Sequence, residues 1–405
     1  MTDTRRRLFL SLCSMVFLVN FARVVFASLL DPIAVDFQVD EAALGAVATA
    51  AWFGSALPRV PTGYLLTKVP RHHVVLGSGG LLVGAAVFTS FSPTLPLVTL
   101  GAFLLGLSSG VYFIAANPLV SELFPGGVGR ALGIHGTAAQ LAAVGAPLFV
   151  VAVLVLGDWR LTFRLLAVAG VFATVAIYGA ARRADLPDAG SEDRDLLGAA
   201  RAQWRIVLTG VVVVGTVGFL WTGLFNFYVR YLSQVKGIAP GTGNLLLTLL
   251  FAAGVPAFFL TGRLADRFPN VPLLLGVVGG FLCCVLLLTL TGGFWPIVAL
   301  TAVMGYVVHM LFPVADTYLL ASLPDHHRAS AYTAYSASAM IVQAGGSVVI
   351  GRLVAGGLPF DTVFLGLVGV VGAVLAAMVA LHLTGRLPAG RVPGEADSSP
   401  AGETT

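Results

Sequence analysis

Residues 8–30 read LFLSLCSMVFLVNFARVVFASLL. The run is long enough to cross a hydrocarbon core as a helix, since about 20 apolar residues suffice. It follows the basic cluster Arg5-Arg6-Arg7, and no small-residue cleavage site follows a short apolar core, so it reads as a retained first span rather than a removed leader. One residue in it is foreign to lipid. Arg23 lies roughly 22 Å along the helix from Leu8, near the middle of a bilayer core of about 30 Å. A charge there is costly, so it faces a cavity or a partner.

The rest of the chain is built the same way. Of 405 residues, 57% are hydrophobic and 10% charged, with a mean hydropathy of +0.92, where soluble domains carry about 25% charge. This excludes a soluble globular protein. Apolar runs between polar breaks predict twelve spans: 8–30, 42–66, 73–91, 96–120, 130–154, 162–181, 205–229, 243–263, 271–291, 295–320, 329–353 and 361–384. With the N-terminus cytoplasmic, 16 of the 23 Lys and Arg fall in cytoplasmic segments, 5 fall outside, and Arg23 and Arg59 lie within spans. The positive-inside rule therefore predicts a multi-pass plasma-membrane protein with both termini cytoplasmic. The pI of about 9.1 reflects this placement and implies no nucleic acid. Cys13, Cys283 and Cys284 sit in apolar runs as small hydrophobes. No metal-ligand spacing and no phosphate-binding loop are present, so the sequence predicts no metal, no cofactor and no direct use of ATP. GLSSG at 106–110 fits a nucleophile-elbow pattern but lies inside an apolar run with no strand before it, so it is not read as catalytic.

The longest polar stretch, residues 182–205, divides the spans six and six. The halves repeat at an offset of 199: Gly63 with Gly262, Leu65 with Leu264, Pro70 with Pro269, Gly80 with Gly279, Gly106 with Gly305 and Pro125 with Pro324. The expected organisation is an N-terminal bundle over 1–181, a cytoplasmic linker over 182–204, a C-terminal bundle over 205–385 and a disordered cytoplasmic tail over 386–405. Two six-span units in the same orientation are related by an axis along the membrane normal, with a cavity between them.

GRLADRFP at 262–269 resembles the loop 2–3 signature of the major facilitator superfamily, G-x-L-a-D-r-x-G. Gly262, Leu264, Asp266 and Arg267 match, and Pro269 replaces the last Gly. The first-half copy, GYLLTKVP at 63–70, keeps Gly63, Leu65 and a basic Lys68, and has Thr67 where the family has Asp. Residues 29–45 and 157–163 also resemble the family's outer loops. The resemblance implies an all-α membrane protein of twelve transmembrane helices in two pseudo-symmetric six-helix bundles that rock about a midplane site. In the loop, Asp266 is suited to accept hydrogen bonds from a nearby helix N-terminus and so to act as a conformational latch. Gly136, Gly145 and Ala146-Pro147 resemble part of the family's antiporter motif, a spacing that helix packing also requires.

Candidate cavity residues are the polar and aromatic ones within spans. Asn20 lies one turn before Arg23, and the two can hold an oxyanion in the planar donor fork of the guanidinium; alternatively, Arg23 locks a helix contact. Arg59, in LPRVPTG, resembles the anion-binding Arg of span 2 in nitrate/nitrite porters. The second binding Arg of that family has no counterpart in AAGVPAFFL, residues 252–260. Asn117 and Asp316 are paired by the 199 offset. Asp316 is expected either to carry a coupling proton or to partner a gate Arg, and His309 either to titrate or to pack. Tyr112, Gln140, Trp221, Asn226, Tyr335 and Gln343 offer hydrogen bonds and aromatic surface, whereas Tyr228 and Tyr231 read as interfacial anchors.

The expected function is secondary active transport of a small-molecule solute by a monomer embedded in the lipid bilayer, coupled to protons, with a lean toward a small organic or inorganic anion. Proton-coupled efflux of amphipathic drugs is the alternative within transporters. A transporter-like sensor is the alternative of another class. No constellation of an enzyme is visible.

Overall fold

The structure is a computed structural model and describes residues 3–184, 186, 196–265 and 267–387. Every regular element among the described residues is a helix. Eleven helices are long and apolar enough to cross a membrane. The twelfth crossing, span 2, falls short of a single helix because Leu57–Pro58 divides it into Glu41–Ala56 and Arg59–Leu65. Pro58 and Pro61 lack the N–H groups that a continuous helix would need there.

Span 1 comprises Asp3–Val24 and Phe26–Phe37, running past the predicted end at Leu30. Gln38 then stops the helix with φ of 52° and donates its N–H to Ala34 O. Spans 3 to 6 are Arg71–Ser90, Leu95–Leu123, Val128–Val155 and Leu161–Ala181. The linker carries a short helix, Leu196–Ala202, and its residues 187–195 lie outside the described residues, as does the tail from residue 388. Span 7 is Trp204–Gln234. Span 8 is Pro240–Ala252 and Gly254–Ala265, span 9 Asn270–Leu290 and span 10 Phe294–Ser322. Span 11 is Asp325–Ala344 and Gly346–Ala355, and span 12 is Phe360–Leu383. Asp3, the short helix Leu196–Ala202 and the end of span 12 at Leu383 fall on one face, called the terminal face here; the other is the far face.

The 199-residue repeat is visible in the packing. A Cβ on Gly106 would collide with Ala51 O, and a Cβ on Gly305 would collide with Leu250 O. Positions 51 and 250 are themselves 199 apart. In both halves a glycine lets two helix backbones touch, which gains dispersion where lipid offers no hydrophobic drive. Many large apolar side chains point outward, among them Phe172, Leu290 and Leu383, each at least 70% exposed, as a bilayer requires.

The halves meet through three pairs of spans: 1 with 7, 2 with 11 and 5 with 8. On the far face they are clasped. Arg230 of span 7 pairs with Asp31 at 2.9 Å and Glu41 at 2.8 Å, and Gln234 donates to Glu41 at 3.1 Å. Beneath the clasp, the Val348 N–H donates to Thr49 Oγ1 at 2.9 Å, and Gly45 and Gly351 bring spans 2 and 11 into backbone contact. Spans 2 and 11 stay together along both of their helical pieces. Spans 5 and 8 do not: the far half of span 8 packs on span 5, but Gly254–Ala265 turns onto span 10 instead. The far face is closed, and on the terminal side spans 5 and 8 make little contact among the described residues.

Candidate functional site

The helix breaks at Val25, Leu57–Pro58, Ala253 and Gly345 each lie within two residues of the lining of a cavity of about 280 Å³ between the halves, which Val24, Arg59, Phe251 and Gln343 border. Irregular backbone at membrane depth is tolerated where it borders such a space. Its charged wall comes from the first half. The Arg23 guanidinium donates from Nη2 to Asn20 Oδ1 at 2.6 Å and lies 4.3 Å from the Trp52 ring centroid. A cation on an indole face gains about 0.5–2 kcal/mol. Its Nη1 reaches Ser55 Oγ only weakly, at 3.4 Å. Asn20 is fixed in turn, since its Nδ2 donates to Ala139 O at 2.7 Å. Arg59 crosses to the second half, donating from Nη1 to Ser336 Oγ at 2.9 Å. Both guanidiniums keep a buried Nε–H without an acceptor. Among the described residues, no carboxylate lies within ion-pair distance of either.

The second half supplies the carboxylate and the rings. Asp316 Oδ1 accepts from the Tyr332 hydroxyl at 2.8 Å. His309 is held by a 2.6 Å contact between Nδ1 and Gly305 O, and Gly254 is what makes room for its ring. Trp221 stands 5.6 Å from the His309 ring and packs against Phe225, Phe251 and Phe281. Tyr335 and Gln343 complete that wall. Gln140 reaches across from span 5, donating from Nε2 to Phe251 O at 2.9 Å.

Of the sequence candidates, Asn20, Arg23, Arg59, Gln140, Trp221, His309, Asp316, Tyr335 and Gln343 therefore converge on one space. Others do not. Tyr112 is fully buried within the first half, donating to Leu12 O at 2.7 Å and meeting His135 Nε2 at 3.0 Å. Its face of span 4 looks toward span 1 and away from the cavity. Asn226 is buried between spans 7 and 11, bonded to Thr222 O and Ser347 Oγ. Asn117 is exposed on span 4 and shares no site with Asp316. Tyr228 and Tyr231 are fully buried, bonded to Thr301 and Asp361, and are not interfacial anchors.

In the loop motif, Asp266 lies outside the described residues, and Gly262 is described in its backbone only. Arg267 is exposed. Among the described residues, a Cβ on Gly63, Gly136 or Gly145 would meet nothing within 4 Å, so none of these three brings described helices into close contact. Sequence reasoning missed Trp52, Phe251, Tyr332 and Ser336. The 199 offset could have found the first two, since it pairs Trp52 with Phe251.

A second space, of about 690 Å³, shares Asn20, Arg23 and Gln140 with the first and extends between spans 4, 5 and 8 toward the terminal face. The two form one continuous site, closed above by the far-face clasp.

A family model described as Major Facilitator Superfamily matches residues 12–291 and 211–403. A probable sugar efflux transporter of Helicobacter acinonychis is 25% identical over 283 residues, covering 68% of this chain and 67% of the relative. The galactose-proton symporter of Escherichia coli K12 is 23% identical over 337 residues, covering 74% and 69%. Among solved structures, the nucleoside transporter NupG superposes with a TM-score of 0.77 at 13% identity, covering 92% of this chain and 99% of that one. A bacterial homologue of the human lysosomal transporter Spinster, inward-facing and unoccupied, superposes with a TM-score of 0.71 at 16% identity, covering 96% and 94%. At such identities the structural likenesses speak for the fold.

Proposed function

Because this chain belongs to the Major Facilitator Superfamily, and is thus a multi-pass membrane transporter and not an enzyme, we propose that it moves a small organic anion by alternating access, coupled to protons. Secondary transport is common ground between the family and the relatives; the anion and the proton are our reading. The observation that supports the anion is the unbalanced pair of guanidiniums. Arg23 and Arg59 face one cavity with neutral partners, and each keeps a buried N–H to offer. A carboxylate or phosphate bound there supplies charge-assisted bonds that the neutral partners Asn20 and Ser336 do not. Asp316, held by Tyr332 in the same cavity, carries the proton in this reading: neutralised, it no longer repels an anionic solute.

A neutral sugar is the second reading. The relatives' names favour it, and the indoles of Trp52 and Trp221 supply apolar ring faces beside amide groups. In either case we place the termini in the cytoplasm and take residues 1–181 and 205–385, joined by 182–204, as the moving bodies of a monomer.

The test uses full-length protein in liposomes enclosing a pH-sensitive dye, with methyl phosphate, galactose and a lipophilic cation added in turn. Proton movement evoked by methyl phosphate, reduced about tenfold or more by Arg23→Gln and abolished by Asp316→Asn, is the expected result. A tenfold loss corresponds to the low end of a lost charged hydrogen bond. Movement with galactose alone sinks the anion, and movement with the lipophilic cation alone makes drug efflux primary. Binding without movement points to a sensor.

A further inference from the structure

The site has two chambers of different character, and most of the second lies beyond the residues that would hold a small ion. It begins at Arg23, Asn20 and Gln140 and runs along span 5 past Gly136, Gly133 and Gly129 to Arg130, with Val255 of span 8 opposite. From Gln140 to Arg130 is ten residues, or roughly 15 Å of helix. Beyond Thr137 and the charged end at Arg130, this path offers hardly any polar side chain. At more than twice the volume of the central cavity, it is far larger than an inorganic anion needs.

Two features indicate what fills it. The glycines are not packing devices: among the described residues, a Cβ at 129, 133 or 136 would meet nothing within 4 Å, so their missing side chains add width to the channel and bring no described helices together. The channel also runs along a side of span 5 to which span 8 gives little cover: Pro240–Ala252 packs on span 5, but among the described residues Gly254–Ala265 packs chiefly on span 10, whereas both pieces of span 11 stay on span 2. The exposed Ile134 lies on the same stretch of span 5, on a surface that a bilayer would cover.

We infer that the transported anion is amphiphilic: an anionic head binds at Arg23 and Asn20, and a single hydrocarbon chain lies in the glycine-lined channel, entering from the terminal-face leaflet between spans 5 and 8. This rests on the anionic reading above and names its substrate class. Arg130 stands at headgroup depth beside the entrance, where a basic side chain attracts anionic lipid heads. Burying methylenes in the channel adds affinity that a short anion does not have.

The probes are dodecyl phosphate and methyl phosphate, which share a head and differ in the chain. Binding to the full-length protein in nanodiscs of zwitterionic lipid is read from tryptophan fluorescence, since Trp52 and Trp221 line the cavity, with empty nanodiscs correcting for partition. We expect dodecyl phosphate to bind at least tenfold tighter. Gly133→Leu and Gly136→Leu place a side chain in the channel from a Cβ that meets no described neighbour within 4 Å, and should bring dodecyl phosphate down to the level of methyl phosphate. Gly136→Ala, adding one methyl group, should remove part of the advantage. An unchanged melting temperature of the unliganded variants establishes that they fold. Equal affinity for both probes, or a chain advantage that survives both leucine variants in folded protein, overturns the amphiphile while leaving the anion. Failure of both probes to bind, with Arg23→Gln indistinguishable from the parent, overturns the anionic reading and this inference with it.

Discussion

The two halves repeat a contact and then part company one helical turn later. Gly106 on span 4 lies against Ala51 O, and Gly305 on span 10 lies against Leu250 O. Four residues on, Gly110 faces the Ser55 backbone and Pro58, but its counterpart, His309, faces Gly254, the counterpart of Ser55. The small residue has changed sides. The charges differ as well: in the cavity the first half holds the guanidiniums and the second the carboxylate, while at the far-face clasp the second half holds Arg230 and the first Asp31 and Glu41. The scaffold tolerates divergence in what faces the cavity because the glycine contact beneath it is kept. Packing is what repeats, and chemistry is what each half has made its own.

Breaking the shared contact should do the most harm, and equally in both halves. Gly106→Val and Gly305→Val each drive a side chain into a backbone carbonyl that cannot move aside. Each should cost about 3 kcal/mol, the upper end of overpacking, read as a comparable fall in melting temperature. A marked inequality would show that one half bears more of the fold than the other.

The clasp comes next. Arg230→Gln removes two charge-assisted contacts from partly buried carboxylates and should shift the balance between closed and open far faces by about 2 kcal/mol. Spin labels at the exposed Val35 and Leu358 should report a wider distance. Acid should act in the same direction. Protonating Glu41 removes its ion pair with Arg230, so the closed form loses that contribution as far-side pH falls. Acidification that leaves the label distance unchanged would remove Glu41 from the latch.

The smallest effect sharpens the exchange of sizes. Gly254→Ser should clash with His309, and His309→Gly should leave a hole, but the double variant recreates the first-half arrangement. It should be about 1 kcal/mol more stable than the sum of the single changes predicts, the size of coupling seen between residues in contact. Additivity within error would mean that the two positions do not compensate.

Twelve spans, their order and the repeat were legible because hydropathy and offset are properties of the chain alone. The helix break at Val25 was not, since neither proline nor glycine marks it. Polar residues inside spans were legible as a set, but their direction was not. Tyr112 and Gln140 look alike as isolated polar positions in apolar helices, yet one turns inward to Leu12 and His135 and the other toward Phe251. Which face of a helix meets the partner half depends on tertiary packing, and amphipathic patterning is faint when lipid and protein core are equally apolar. Asp266, the best-matched motif residue, lies outside the described residues, so the latch assigned to it stands as a proposal.

Spans 2 and 11 remain joined along their length while spans 5 and 8 make little contact on the terminal side among the described residues. In the proposed cycle, two bodies joined along one edge would swing like a door on its jamb and not rock like a seesaw. The side that opens would then be filled by the membrane itself, which would give way when the door opens and be pushed out when it closes. On that reading the lipids of one leaflet are a working part of the cycle, and their crowding sets how far the door stands ajar.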